Sequence, residues 1–215
     1  PAGPEVSVPS TKTFPSTGVA FTLLALHLGR TRDLGPADGT RLLDGLAGLP
    51  SAIADVLARE DEIVPIAEQV ARSTSAFFVG RVSGHHVALE GAQKLKEISY
   101  LHAEAYPAAE LKHGPLALVA PEVPTIAVLP DDGLWDKNLN TVAEIAARRG
   151  PVVAVTDRDG EVPGADRVVR VPTVEPELAP YLLGIPLQLL AYHTARVLGR
   201  DIDRPRNLAK SVTVE

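Results

Sequence analysis

Four short apolar runs separated by helix-length stretches constrain this chain more than any other feature. Ala76-Phe77-Phe78-Val79, Thr125-Ile126-Ala127-Val128-Leu129, Val152-Val153-Ala154-Val155 and Val168-Val169-Arg170-Val171 are almost uninterrupted by polar residues. Runs of that kind suit strands buried on both faces, as in a parallel sheet. Helical patterns lie between them, around 85–100, 108–120 and 138–149, and a longer one extends from about Glu177 to Leu198. Strands alternating with helices predict an α/β fold with right-handed crossovers, a three-layer α/β/α sandwich around a mainly parallel sheet. Ahead of the first run the signals are helical only. Pro15 and Ser16 open an apolar run from Val19 to Leu28, Pro36 suits a first helical turn, and Ser51 precedes the periodic Ile53, Val56 and Leu57. The expected organisation is therefore a leading segment over 1–68, an α/β domain over 69–205 and a polar tail over 206–215.

Length and charge narrow the partners. At 215 residues the chain holds one large domain with an extra layer rather than two full dinucleotide-binding domains. Its 45% hydrophobic content supplies a sizeable core. With 21 Lys plus Arg against 27 Asp plus Glu, the net charge is −6, and no block of five like charges and no basic stripe occurs, so broad nucleic-acid binding is disfavoured. Zero cysteines removes disulfides, thiolate zinc sites and cysteine nucleophiles together, and fits a reducing, cytoplasmic setting. The most apolar stretch, Leu178 to Tyr192, is broken by Pro180, Pro186 and Gln188 and reads as a buried helix rather than a membrane span. The chain starts at Pro1 and contains no methionine, so it is expected to be a piece of a longer polypeptide.

The helical pattern after the first apolar run carries the most chemistry. Ala88, Ala92, Leu95 and Ile98 form its apolar stripe, while Glu90, Lys94 and Glu97 lie four and then three apart on another stripe, where their side chains are neighbours. On spacing alone this is either a solvated ion-pair face or a carboxylate base beside a cation at the carboxyl edge of the sheet, where open α/β folds bind ligands. His113 precedes Gly114-Pro115, a turn that would fix it. An imidazole can act as acid or base near neutral pH. His85 and His86 diverge by about 100° on a helix and make a poor metal pair. No grouping of His, Asp and Glu has a ligand spacing, so no metal is expected, and nucleophile-elbow and Gly-rich phosphate-loop motifs are missing.

These stretches also resemble a family. Ala88-Leu89-Glu90-Gly91-Ala92-Gln93-Lys94-Leu95-Lys96-Glu97-Ile98-Ser99-Tyr100, His102-Ala103-Glu104-Ala105-Tyr106, Glu110-Leu111-Lys112-His113-Gly114-Pro115 and the tail from Pro205 to Glu215 are similar to the glutamine:fructose-6-phosphate aminotransferases, or glucosamine-6-phosphate synthases. The likeness extends from Ala2 to Glu215, and the tail sets it apart from other sugar isomerase (SIS) domain proteins. It implies the SIS fold, a phosphosugar substrate, a homodimer and no cofactor. It also implies that an N-terminal glutaminase domain and most of a first SIS domain lie outside this chain, including a Ser-Gln-Ser-Gly-Glu-Thr phosphate loop that does not occur here.

By that likeness Glu97 would move the proton between carbon 1 and carbon 2. His113 would open the sugar ring from the neighbouring protomer, and Lys210 would form the imine with the sugar ketone. Lys94 would tune Glu97 and touch the sugar, as would Val8 and Ser10, while Ala209 and Val212 would lie beside the route of ammonia. Two other expectations remain: a non-catalytic, phosphosugar-sensing SIS module, and a related isomerase or deglycase that would have no reason for the Lys210 tail.

Overall fold

A computed structural model describes residues 2–211. Five strands form one sheet in the order β2-β1-β3-β4-β5, every neighbouring pair parallel. They are β1 (Ser75–Gly80), β2 (His102–Pro107), β3 (Thr125–Val128), β4 (Val152–Thr156) and β5 (Arg167–Arg170). Four of these strands fall on the apolar runs. The fifth, β2, is an addition: its sequence His-Ala-Glu-Ala-Tyr-Pro is too polar for a central strand. It lies at the sheet edge against β1, where His102 is open to solvent and Ala103 is buried. An edge strand needs only one well-buried face.

Alternate residues of the central strands feed two cores. Phe78, Ile126, Val128, Val153 and Val155 pack with α3 (Val64–Ala71), α4 (Ser83–Ser99) and α6 (Ala179–Val197) on one face. Val79, Ala127, Leu129 and Ala154 pack with α5 (Trp135–Ala146) and with the turns after β2 on the other. Three layers result, as the alternation of strands and helices predicted. The apolar stretch with its two prolines is α6, whose interior Pro186 is buried without ending the helix. Ahead of the sheet, α1 (Thr13–Arg30) and α2 (Pro36–Leu57) bear out the helical reading of the leading segment. The helical pattern over 108–120 is not one helix. It is two 3₁₀ turns, Ala108–His113 and Pro115–Leu118, divided by Gly114 at φ 141°, a backbone angle only glycine adopts easily.

Helix α4 crosses back from the carboxyl edge of the sheet to the amino edge. A tight β1–α4 turn starts it, and Gly80 is needed there because a Cβ would fall 2.4 Å from the backbone of Gly84. Glu97 therefore sits in the last turn of α4, at the amino edge. The expectation of a carboxylate at the carboxyl edge is corrected: the stripe was legible, but α4 is long enough to carry its end across the whole sheet.

Candidate active site

Lys94 and Glu97 form an ion pair, Nζ donating to Oε2 at 2.7 Å, with side chains only 7% and 18% exposed. A solvated face is thereby excluded for this pair. Removing a charge from water is costly unless it is paired and hydrogen-bonded, so each group constrains the other. Gln93 Nε2 donates to the second Glu97 oxygen at 3.1 Å. One turn earlier Glu90 is partly buried, its carboxyl pushed upward by burial against the opposing pull of Lys94, and its Oε1 has no partner. Glu90 and Lys94 line a cleft of about 500 Å³ together with Ser10, Thr13 and Tyr181.

The opposite wall of that cleft comes from the leading segment. Residues 7–13 run across α4 and α6, with Gln188 Nε2 donating to the Thr11 carbonyl at 3.2 Å. Glu5 is the hub of this segment and was not anticipated. Its Oε1 accepts hydrogen bonds from Ser10, at 2.6 Å, and from Thr13; its Oε2 accepts from Lys210 Nζ at 3.0 Å. These bonds, Ser10's first, pull the Glu5 carboxyl down to about 2. The only signal in the sequence was a lone acid within residues 1–12. Its charged partner, Lys210, lies 205 residues away, beyond the reach of any local pattern.

The tail is tied to the same place. Ser7 Oγ donates to the Ile202 carbonyl at 3.2 Å and the Val8 backbone N–H to the Asp203 carbonyl at 2.9 Å, so Val8 contributes through its backbone. Ala209 is exposed beside Lys210. Val212 lies outside the described residues. Glu5 thus ties Ser10 to Lys210, Ser10 shares a cleft with Lys94 of the Lys94–Glu97 pair, and Val8 is bound to the start of the tail that carries Ala209 and Lys210.

His113 does not join them. It ends the 3₁₀ turn that follows β2, at the carboxyl edge and on the α5 side of the sheet, exposed and paired through Nδ1 with Glu110 Oε2 at 2.8 Å. From Ser83 to Glu97 the α4 axis alone spans about 21 Å at 1.5 Å per residue. Within one chain His113 and Glu97 cannot face the same small substrate.

A parallel sheet in the order β2-β1-β3-β4-β5 with helices on both faces defines the class of doubly wound α/β domains. Residues 69–198 match the SIS domain family, and the chain belongs to it. Over its whole length the chain is similar to the glutamine--fructose-6-phosphate aminotransferase [isomerizing] of Bordetella pertussis, at 48% identity, and to that of Escherichia coli O6:H1, at 44%. It spans only 36% of the length of each. Among solved structures, the C-terminal domain of glucosamine-fructose-6-phosphate aminotransferase from Francisella tularensis superposes with a TM-score of 0.89 at 37% identity, over 94% of this chain and 58% of that one. A glucosamine-6-phosphate deaminase from Thermotoga maritima, at 22% identity and a TM-score of 0.71, shares the fold.

Proposed function

We propose that this chain is the C-terminal isomerase portion of a cytoplasmic glucosamine-6-phosphate synthase, acting as a homodimer on fructose 6-phosphate and glutamine-derived ammonia. The observation that carries the reading is the return of the tail: Lys210 lies against Glu5, which also holds Ser10, and Ser10 lines the cleft that holds Lys94 of the Lys94–Glu97 pair.

The residue types suit the chemistry. The neutral Lys210 amine adds to the carbon 2 carbonyl and water leaves, giving an imine; ammonia then displaces the lysine. Glu97 accepts the carbon 1 proton and returns it to carbon 2, so fructose 6-phosphate plus ammonia become glucosamine 6-phosphate plus water. Lys94 keeps the Glu97 carboxylate oriented, and Ser10 offers a hydroxyl to the sugar. His113 serves ring opening from the partner protomer. The family likeness over the full chain supports these roles, and the tail distinguishes a synthase from a bare phosphosugar sensor.

The test is Lys210→Arg in the full-length synthase. Arginine keeps the positive charge but does not give a neutral nucleophile at accessible pH. Synthesis of glucosamine 6-phosphate is expected to collapse while glutamine hydrolysis survives. Near-normal synthesis by that variant would overturn the assignment.

A further inference from the structure

Tyr100 occupies the residue just past α4, three positions after Glu97, at φ 67° and ψ 12°. That left-handed conformation closes many helices and is usually filled by glycine, because a Cβ is strained there. A tyrosine at this position invites another explanation, and its surroundings supply one. Its hydroxyl accepts a hydrogen bond from the Arg206 backbone N–H at 2.9 Å. The Arg206 guanidinium stacks over its ring at 4.3 Å from the centroid, and that of Arg200 at 5.2 Å. Each such contact is modest where water has access. Together they hold both ends of the segment 200–206, while Asp201 caps its turn by accepting from the backbone N–H groups of Asp203 and Arg204. Four residues beyond Arg206 is Lys210, on Glu5.

We propose that Tyr100 is a positioning residue that keys the tail onto the end of α4, so that the helix bearing Glu97 and the tail bearing Lys210 hold a fixed mutual geometry. The proposal rests on the synthase reading for its catalytic consequence, and on the contacts alone for its structural one. A tyrosine whose only task was to end α4 would be replaced without loss by glycine, which adopts the left-handed conformation freely. A tyrosine that clasps the tail would not.

Two variants separate these cases. Tyr100→Phe removes the hydroxyl and keeps the ring; Tyr100→Gly removes both and favours the helix end. Hydrogen exchange of this 215-residue chain, resolved by residue, reads the clasp directly. In Tyr100→Phe the Arg206 amide is expected to exchange about five- to tenfold faster, the equivalent of one lost hydrogen bond. In Tyr100→Gly the acceleration is expected to spread over 202–211 while the amides of α4 stay as slow as before. Unchanged exchange of the tail in both variants would overturn the clasp. In the full-length synthase, Tyr100→Gly is expected to lower kcat for glucosamine 6-phosphate with little change in KM, leaving glutamine hydrolysis intact. Wild-type kcat in Tyr100→Gly, with Lys210→Arg inactive, would overturn the positioning role. Activity in Lys210→Arg would instead overturn the synthase mechanism and leave exchange to decide the clasp.

Discussion

His113 and Glu97 lie at opposite edges and on opposite faces of one sheet, and a reaction that uses both must take them from two chains. The separation is worked from α4. Glu97 is fourteen residues past Ser83, about 21 Å along the helix axis, and His113 follows β2 at the far edge. A catalytic acid or base must come within about 3 Å of the atom it serves. No hexose phosphate bridges that gap, and the interior of the sheet lies between. The perturbation is paired: His113→Ala in one full-length chain and Glu97→Gln in another, each expected to be inactive as a homodimer. In a two-fold dimer with partner-supplied His113, a mixed dimer contains one doubly damaged site and one intact site. Random exchange of equal amounts makes about half the dimers mixed, so about one quarter of wild-type synthesis is expected to return. Product formation gives the activity, and native mass spectrometry gives the fraction of mixed dimers. Formation of mixed dimers with no recovered activity would refute the reasoning, because that result requires both groups of one site to come from one chain.

Gly91→Ala would place a Cβ 2.6 Å from Leu187 Cδ1 and 2.9 Å from Phe78 Cε1, between α4, α6 and the sheet. Overpacking of about 1–3 kcal/mol is expected to outweigh the helix-propensity gain of about 1 kcal/mol, so calorimetry should show a lower Tm. The Glu5 carboxyl is pulled from its ordinary 4.5 to about 2, so its contribution to holding Ser10, Thr13 and Lys210 is complete above that ordinary value. It is lost as pH falls toward about 2, and an NMR titration of the Glu5 carboxyl carbon should find its midpoint there; a midpoint near 4.5 would refute the hub. The 215-residue chain is expected to unfold cooperatively yet bind fructose 6-phosphate only weakly, since the phosphate grip assigned to a preceding domain is missing from its sequence. A low micromolar dissociation constant by calorimetry would show a phosphate site within this chain.

Much of this molecule is written locally. Apolar runs of four or five residues identify the three central strands, because a strand covered on both faces has no polar side to display, and the edge strand β5 as well. A three-residue spacing on a helix predicts the contact of Lys94 with Glu97, because helix geometry is the same everywhere. The tail's likeness to a family marks Lys210 before any coordinate is known. What the chain could not disclose locally depends on who covers whom. β2 escapes notice because its place at the sheet edge lets half of it stay polar, and that place is fixed by its pairing with β1. Burial of Lys94 depends on residues 7–13 lying over α4 and α6, and the role of Glu5 on a lysine at the other end of the chain. The sequence by itself determined the layers and the adjacency of Lys94 and Glu97; the tertiary structure alone decided which edge the pair faces, what covers it and that His113 stands apart, because those relations join residues that no helical or strand period connects.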